Sequence, residues 1–301
     1  MAIVLAVALA LVVWVWRRAR ARAEETEREH IEARRLALEE QESAHSHEIH
    51  ALNREVIRSQ AIADRFQQFA ADLIGWELAS RDLIGSVCDE LGVNGVLATN
   101  VTFVPSESSP SAPFVTQVDH VLLTESGGLV IESKNWRGVV FDGRLPSSVH
   151  PAFGMLVPDD RLAHPFAVQL SRESTTGDGV KVLVRSGGES PRTQVRAHAR
   201  RLSQLVQREV GRSCWFNTSV LYSHPEVQLY AKARSAADGP AETAVVAGRA
   251  QLRSLIAGTR QPSHRMPPPP LEETAAVFER LGADLRGLGT YAQRWVSVHA
   301  R

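Results

Sequence analysis

Residues Gln117 to Gly138 read QVDHVLLTESGGLVIESKNWRG, and the rest of the chain is organised around them. An apolar run from Val118 to Thr124, a glycine-containing turn and a second run from Leu129 to Ser133 predict a β-hairpin. Residues two apart on a strand share a face, so Glu132 and Lys134 point the same way. Where Asp119 stands depends on register. With a loop of Ser126-Gly127, or of Glu125 to Gly128, Thr124 lies opposite Leu129 and Asp119 opposite Lys134, and opposed residues project to one side. Two carboxylates and an ammonium group then converge at the open end of the hairpin.

Those residue types fit one chemistry. Carboxylate oxygens are hard ligands that suit Mg²⁺, which keeps several waters and binds through one or two carboxylates plus substrate phosphate. A bound metal supplies hydroxide near neutral pH and stabilises charge on phosphate oxygens. A lysine adds a positive point charge for the transition state. The other hairpin positions are apolar on both faces, as in a strand pair buried on each side. Charged groups there need a role or a partner; a salt-bridged structural hairpin is the plain alternative.

The stretch resembles the nuclease-related domain, NERD, a branch of the PD-(D/E)xK nuclease superfamily. The residues that carry the resemblance are Asp119-His120 before an apolar strand, Gly128, then Glu132-Ser133-Lys134-Asn135-Trp136 and Gly138. It implies an α/β fold, a mixed sheet flanked by helices, over residues 75–260. It implies Asp119 and Glu132 as ligands of Mg²⁺ or Mn²⁺ and Lys134 as the charge-stabilising group. Members open on a Gly-Glu helix whose glutamate completes the acidic site; here Trp76 intrudes in Gly75-Trp76-Glu77, which makes Glu77 the candidate and Asp82 its competitor. Members also start a later helix with Pro-x-x-Gln, which makes Gln194 the candidate for orienting water or a phosphate. The implied activity is nucleic-acid phosphodiester hydrolysis, with DNA the foremost partner. The alternative is a non-catalytic membrane scaffold whose nuclease-like domain binds nucleic acid or a protein.

Around this core the chain is read from composition. Lys plus Arg and Asp plus Glu both count 34 in 301 residues, so bulk charge does not mark a nucleic-acid binder. Cys88 and Cys214 lack metal-type spacing and read as buried apolar residues. Ala2 to Trp16 is an uninterrupted apolar run followed by RRARAR. As a helix it would extend ~22 Å, short of a ~30 Å hydrocarbon core, a deficit that snorkelling arginines or local thinning could cover. Residues 1–22 are thus expected to be a single-pass transmembrane anchor, with the C-terminal domain on the cytoplasmic side; a cleaved signal peptide is the rival. Residues 23–74 contain dense charge and, from Glu24 to Ile74, neither glycine nor proline. They predict a helical stalk whose second half forms a passable coiled-coil seam, a route to a homo-oligomer.

Further along, a helix is expected from Glu77 to Leu91, a strand from Val96 to Val104, and a third strand at Val139 to Phe141. Residues 144–190 are poorly periodic and suggest a surface insertion with a hairpin near Lys181 to Arg185. Ser190 caps a helix running to Val210, with Pro191 in its first turn. Arg192, Arg196 and Arg200 recur every fourth residue on it as a stripe fit to meet a phosphate backbone. Between Leu183 and Arg212 seven arginines face two glutamates, a net of +5. Strands are expected at Trp215 to Ser223 and Ala244 to Val246, and a helix at Gln251 to Ala257. A proline-rich linker (261–270) precedes a C-terminal amphipathic helix (271–301) carrying Val277, Leu281, Leu285 and Leu288. P-loop, HExxH, GxSxG and paired CxxC motifs are missing.

Overall fold

The computed structural model describes residues 14, 18, 20, 32, 34–36, 52–62, 75–108, 114–172, 179–232, 242–259 and 270–295. The chain divides into two units, Met1–Asp72 and Leu73–Arg301. In the first, residues 52–62 are helical, with Leu52, Val56 and Ile62 exposed. All but residues 14, 18 and 20 of the expected anchor, most of the expected stalk and nearly all of the proline-rich linker lie outside the described residues. Among the described residues no helix is long and apolar enough to cross a membrane.

The second unit is a mixed α/β fold built on two mixed sheets. A helix over residues 75–90 (α1) leads into β1 (Gly95–Phe103), β2 (Thr116–Thr124) and β3 (Gly127–Lys134). After β4 (Gly138–Asp142) come a short helix α2 (Pro151–Leu156), then β5 (Phe166–Arg172) and β6 (Val180–Ser186). A long helix α3 (Pro191–Val210) precedes β7 (Phe216–Tyr222), β8 (Val227–Ala231) and β9 (Ala244–Ala247). Helices α4 (Gly248–Thr259) and α5 (Leu271–Arg280) and strand β10 (Asp284–Leu288) complete it. The main sheet runs β10-β1-β2-β3-β7-β9 and the smaller one β6-β5-β4-β8. β3, β7 and β9 are parallel, while β10, β1, β2 and β3 pair antiparallel.

The apolar hairpin is buried on both faces because helices cover each. Val121, Leu123 and Val130 join Val195, Leu202 and Val206 of α3 and Phe278 of α5. On the other face Leu122, Leu129 and Ile131 meet Ile84 and Val87 of α1 and Leu252 and Ile256 of α4. A third cluster, with Phe141, Phe166 and Val168, belongs to the smaller sheet.

Two expectations change. Residues 144–190 contain the expected hairpin, as β5 and β6, but it is not a surface insertion: β5 also pairs with β4, so the segment supplies two of the four strands of the smaller sheet. The apolar residues that form it are spread over four strands, so no single window shows them. Gly138, at φ +84, turns the chain out of β3 into that sheet, and a Cβ there would strike the Leu170 carbonyl. The C-terminal helix stops at Arg280, and Gly282 at φ +78 follows it. Leu285 and Leu288 then lie on β10, which pairs with β1. Their cores prove the change of period: Leu285 enters the α3 side and Leu288 the α1 side, as residues three apart on a strand must.

Candidate active site at the end of the hairpin

The turn joining β2 to β3 is Glu125-Ser126, one residue earlier than the expected two-residue loop and two residues shorter than the four-residue one. Thr124 pairs with Gly127, and its hydroxyl donates to the Gly127 carbonyl at 3.0 Å while accepting from the Ser126 N–H at 3.2 Å. The ladder runs to His120↔Ile131, so one further step sets Asp119 against Glu132 rather than against Lys134. Both registers have the same parity. The expected convergence on one face therefore survives the shift.

Asp119 stands where the ladder gives way to a side chain: its Oδ2 accepts the Ser133 N–H at 2.8 Å. Across β1 from it, Asn100 takes a left-handed φ of 61°. The alternation slips by one here, since Val96 and Ala98 before this point and Val101 and Phe103 after it all enter the same core. Glu132 is 5% exposed. Lys134 Nζ donates to its Oε1 at 2.6 Å. The second oxygen, Oε2, lies 3.2 Å from His198 Nδ1, and an ionised carboxylate only accepts, so Nδ1–H is the donor.

This electrostatic setting separates the two acids. Burial, then the negative charge of Glu132, pushes the Asp119 carboxyl up to about 7, against the Ser133 hydrogen bond and the charge of Lys134. Burial alone would also raise Glu132, but the His198 hydrogen bond and Lys134 outweigh it and hold that carboxyl below the usual glutamate range. One acid is thus ionised and the other poised near neutrality, the pattern expected of like charges sharing a site.

His198 was not expected from the sequence. It lies on α3 four residues after Gln194, and that spacing stacks the two on one helix edge. Gln194, Lys134 and Trp136 line a cleft of about 440 Å³ together with Leu183 and Arg185 of β6. The helix forms where the sequence places it: Ser190 Oγ accepts the Thr193 N–H at 3.2 Å, Pro191 opens the first turn, and Gly211 at φ 76° ends it.

Glu77 sits half-buried in the first turn of α1, whose Ile84 and Val87 pack on the Leu129 and Ile131 face of the sheet, and Asp82 is exposed. His120, beside Asp119, belongs to that face. It is fully buried between Ser80 Oγ (2.7 Å from Nε2) and Thr99 Oγ1 (3.1 Å from Nδ1), so it binds α1 to the sheet. Burial, aided by the charge of Arg81, lowers its pKa to about 3 and keeps it neutral.

The arginine stripe is the clearest correction. Arg192 is 6% exposed and points inward: its Nε donates to buried Asp142 Oδ1 at 2.5 Å, and Asp142 Oδ2 accepts from Tyr222 at 2.8 Å. A fully buried carboxylate needs that cation, which leaves Arg192 unable to serve a phosphate backbone. Arg196 and Arg200 are exposed, but they are offset from Gln194 and His198 by two residues, about 200° around the helix. They face away from the carboxylates.

Among the described residues no group of three or more His, Cys, Asp or Glu is arranged to hold a metal ion. Asp119 and Glu132 as a pair still suit Mg²⁺, which needs only one or two carboxylates beside waters and phosphate. The test is the charge imbalance: a second carboxylate raised to about 7 by burial and by the charge of its neighbour is what a divalent cation beside it would relieve.

A family model described as the nuclease-related domain (NERD) matches residues 87–150. The matched stretch takes in Asp119, Glu132 and Lys134 and ends before Gln194 and His198. No curated protein and no solved structure matches the chain. Over residues 87–150 the chain is similar to a nuclease-related domain, and that nuclease-like region coincides with the hairpin that carries the acids.

Proposed function

We propose that the second unit is a Mg²⁺- or Mn²⁺-dependent nuclease that hydrolyses phosphodiester bonds, with Asp119, Glu132 and Lys134 at its centre. The observation that carries this reading is the meeting of Asp119 and Glu132 at the open end of one buried hairpin, with Lys134 bonded to Glu132 at 2.6 Å. Asp119 and Glu132 would hold the cation, which when bound supplies Lewis acidity and an activated water. Lys134 places an ammonium beside the scissile phosphate, where it offsets the charge that grows on the phosphoryl oxygens. Gln194, in the wall of the same cleft, presents an amide able to donate to a phosphate oxygen and accept from a water. His198 positions Glu132 by fixing Oε2. Arg185, on the β6 side of the cleft, is bonded to Glu189 of the same wall at 3.0 Å and would meet a phosphate chain only as part of that pair. Glu77 would assist from the first turn of α1.

DNA is the proposed substrate class, and a membrane tether through residues 1–22 and self-association through the stalk are proposed with it, on the apolar run and the heptads alone. The direct test is cleavage of duplex DNA, single-stranded DNA and RNA by the full-length chain in Mg²⁺ or Mn²⁺, with chelation as control. One observation favours a second reading, a binding module without hydrolysis: both oxygens of Glu132 are engaged by the chain's own Lys134 and His198. Steeply salt-dependent binding with no cleavage in either metal would select it.

A further inference from the structure

Helix α3 separates two cavities. The larger, about 880 Å³, lies on the edge opposite His198 and takes Arg196, Arg200, Lys232, Trp215, Asn217 and Glu242 into its wall. Its volume falls in the range of small-molecule sites, roughly 300–1,000 Å³.

The wall makes three demands on an occupant. First, it is cationic. Among the described residues of the wall, Arg196 and Arg200 meet one carboxylate, Glu242, whose Oε1 is already 3.6 Å from Arg192. An anion with more than one oxygen fits. Second, Trp215 is 42% exposed and presents an indole to the cavity, a surface on which a flat ring stacks. Third, the Glu242 side chain is 8% exposed, yet its Oε2 is buried with no hydrogen-bond partner among the described residues. A buried acceptor left like this is rare and costly, and a ligand N–H or O–H would satisfy it. Anion, planar ring and N–H donor in one small molecule describe a nucleotide, with an amino or imino group on the base edge.

We propose that this cavity is a binding site for a free nucleotide, its phosphate on Arg196 and Arg200, its base against Trp215 and donating to Glu242. The site is separate from the carboxylate centre and does not rest on the nuclease reading. It gives the chain a place to sense a small phosphate metabolite across the same helix that holds Gln194 and His198.

Isothermal titration of the full-length chain with each common ribonucleoside monophosphate, inorganic phosphate and a single-stranded hexanucleotide tests this. At least one base with an amino or imino donor should bind saturably, and at least tenfold tighter than phosphate. Arg200→Glu and Trp215→Ala, both at exposed positions, should each weaken it tenfold or more, and Glu242→Gln should erase the preference among bases. Asp119→Ala should bind as the wild type does. Absence of saturable mononucleotide binding by the folded chain overturns the proposal. So does phosphate binding as tightly as the nucleotide, binding of the hexanucleotide alone, or affinity unchanged in both exposed-site variants.

Discussion

His198 Nδ1 lies 3.2 Å from Glu132 Oε2, which joins the middle of α3 to the end of β3 across the candidate centre. Lys134 holds the other oxygen, so the carboxylate is fixed in both rotation and charge. Partners of this kind orient ligands, and losing one lowers metal affinity or activity about 10–100-fold. His198→Ala is expected to show that loss in metal-dependent cleavage. His198→Asn, whose amide N–H can replace Nδ1–H, should recover part of it. Equal rates for wild type and His198→Ala would remove His198 from the site.

Asp119 predicts a pH dependence of stability. Its folded pKa, about 7, lies above the ordinary 3.8, so folding favours the protonated acid. The stability this group contributes is fully present below pH 3.8 and is lost as pH rises towards 7. Asp119→Asn, which is never charged, should gain in Tm over the metal-free wild type across that window and hold the gain above it. Added Mg²⁺ should then raise the Tm of the wild type and not that of the variant. Parallel Tm curves for both proteins from pH 4 to 8 would deny the shift.

His120 has the opposite sign. Its folded pKa, about 3, lies below the ordinary 6.5, so the neutral ring is favoured. Its contribution is present above pH 6.5 and lost as pH falls towards 3. His120→Ala should cost about 1–3 kcal/mol in denaturant unfolding at pH 7, because Ser80 and Thr99 lose their partner. Acid unfolding of the variant should be correspondingly less steep.

The Arg192–Asp142 pair is structural. Arg192→Ala would leave a fully buried carboxylate beside Tyr222, and about 3–5 kcal/mol of stability should go with it. Tyr222→Phe removes one hydrogen bond to that carboxylate and should cost about 1.5–3 kcal/mol. Chemical denaturation measures both. An Arg192→Ala protein of unchanged stability would restore Arg192 to the surface role its spacing suggests.

How far the sequence could be read follows from the range of each signal. The hairpin and α3 are written locally, in an apolar run either side of a turn and in Ser190-Pro191, and parity alone was enough to bring Asp119 and Glu132 to one side. The register was not local: Thr124 closes a two-residue turn without needing Gly127 or Gly128 inside it. The smaller sheet is assembled from strands as distant as β4 and β8, which no window spans. Val277, Leu281, Leu285 and Leu288 keep a helical spacing through a strand, and only Gly282 marked the break. Arg192 and Arg196 look alike in sequence; a buried aspartate fifty residues earlier tells them apart. His198 carried a usable signal, its four-residue step from Gln194, hidden by the arginines around it.

The most direct test is a single comparison of metal-dependent cleavage by the full-length chain and by its Asp119→Ala and Lys134→Ala variants, each shown to be folded. In Mg²⁺ or Mn²⁺ the wild type should cut DNA, and both variants should fall at least a hundredfold while keeping the wild-type circular dichroism spectrum. Cleavage that persists undiminished in both variants, or a folded, metal-supplied wild type that leaves duplex DNA, single-stranded DNA and RNA intact, would contradict the account.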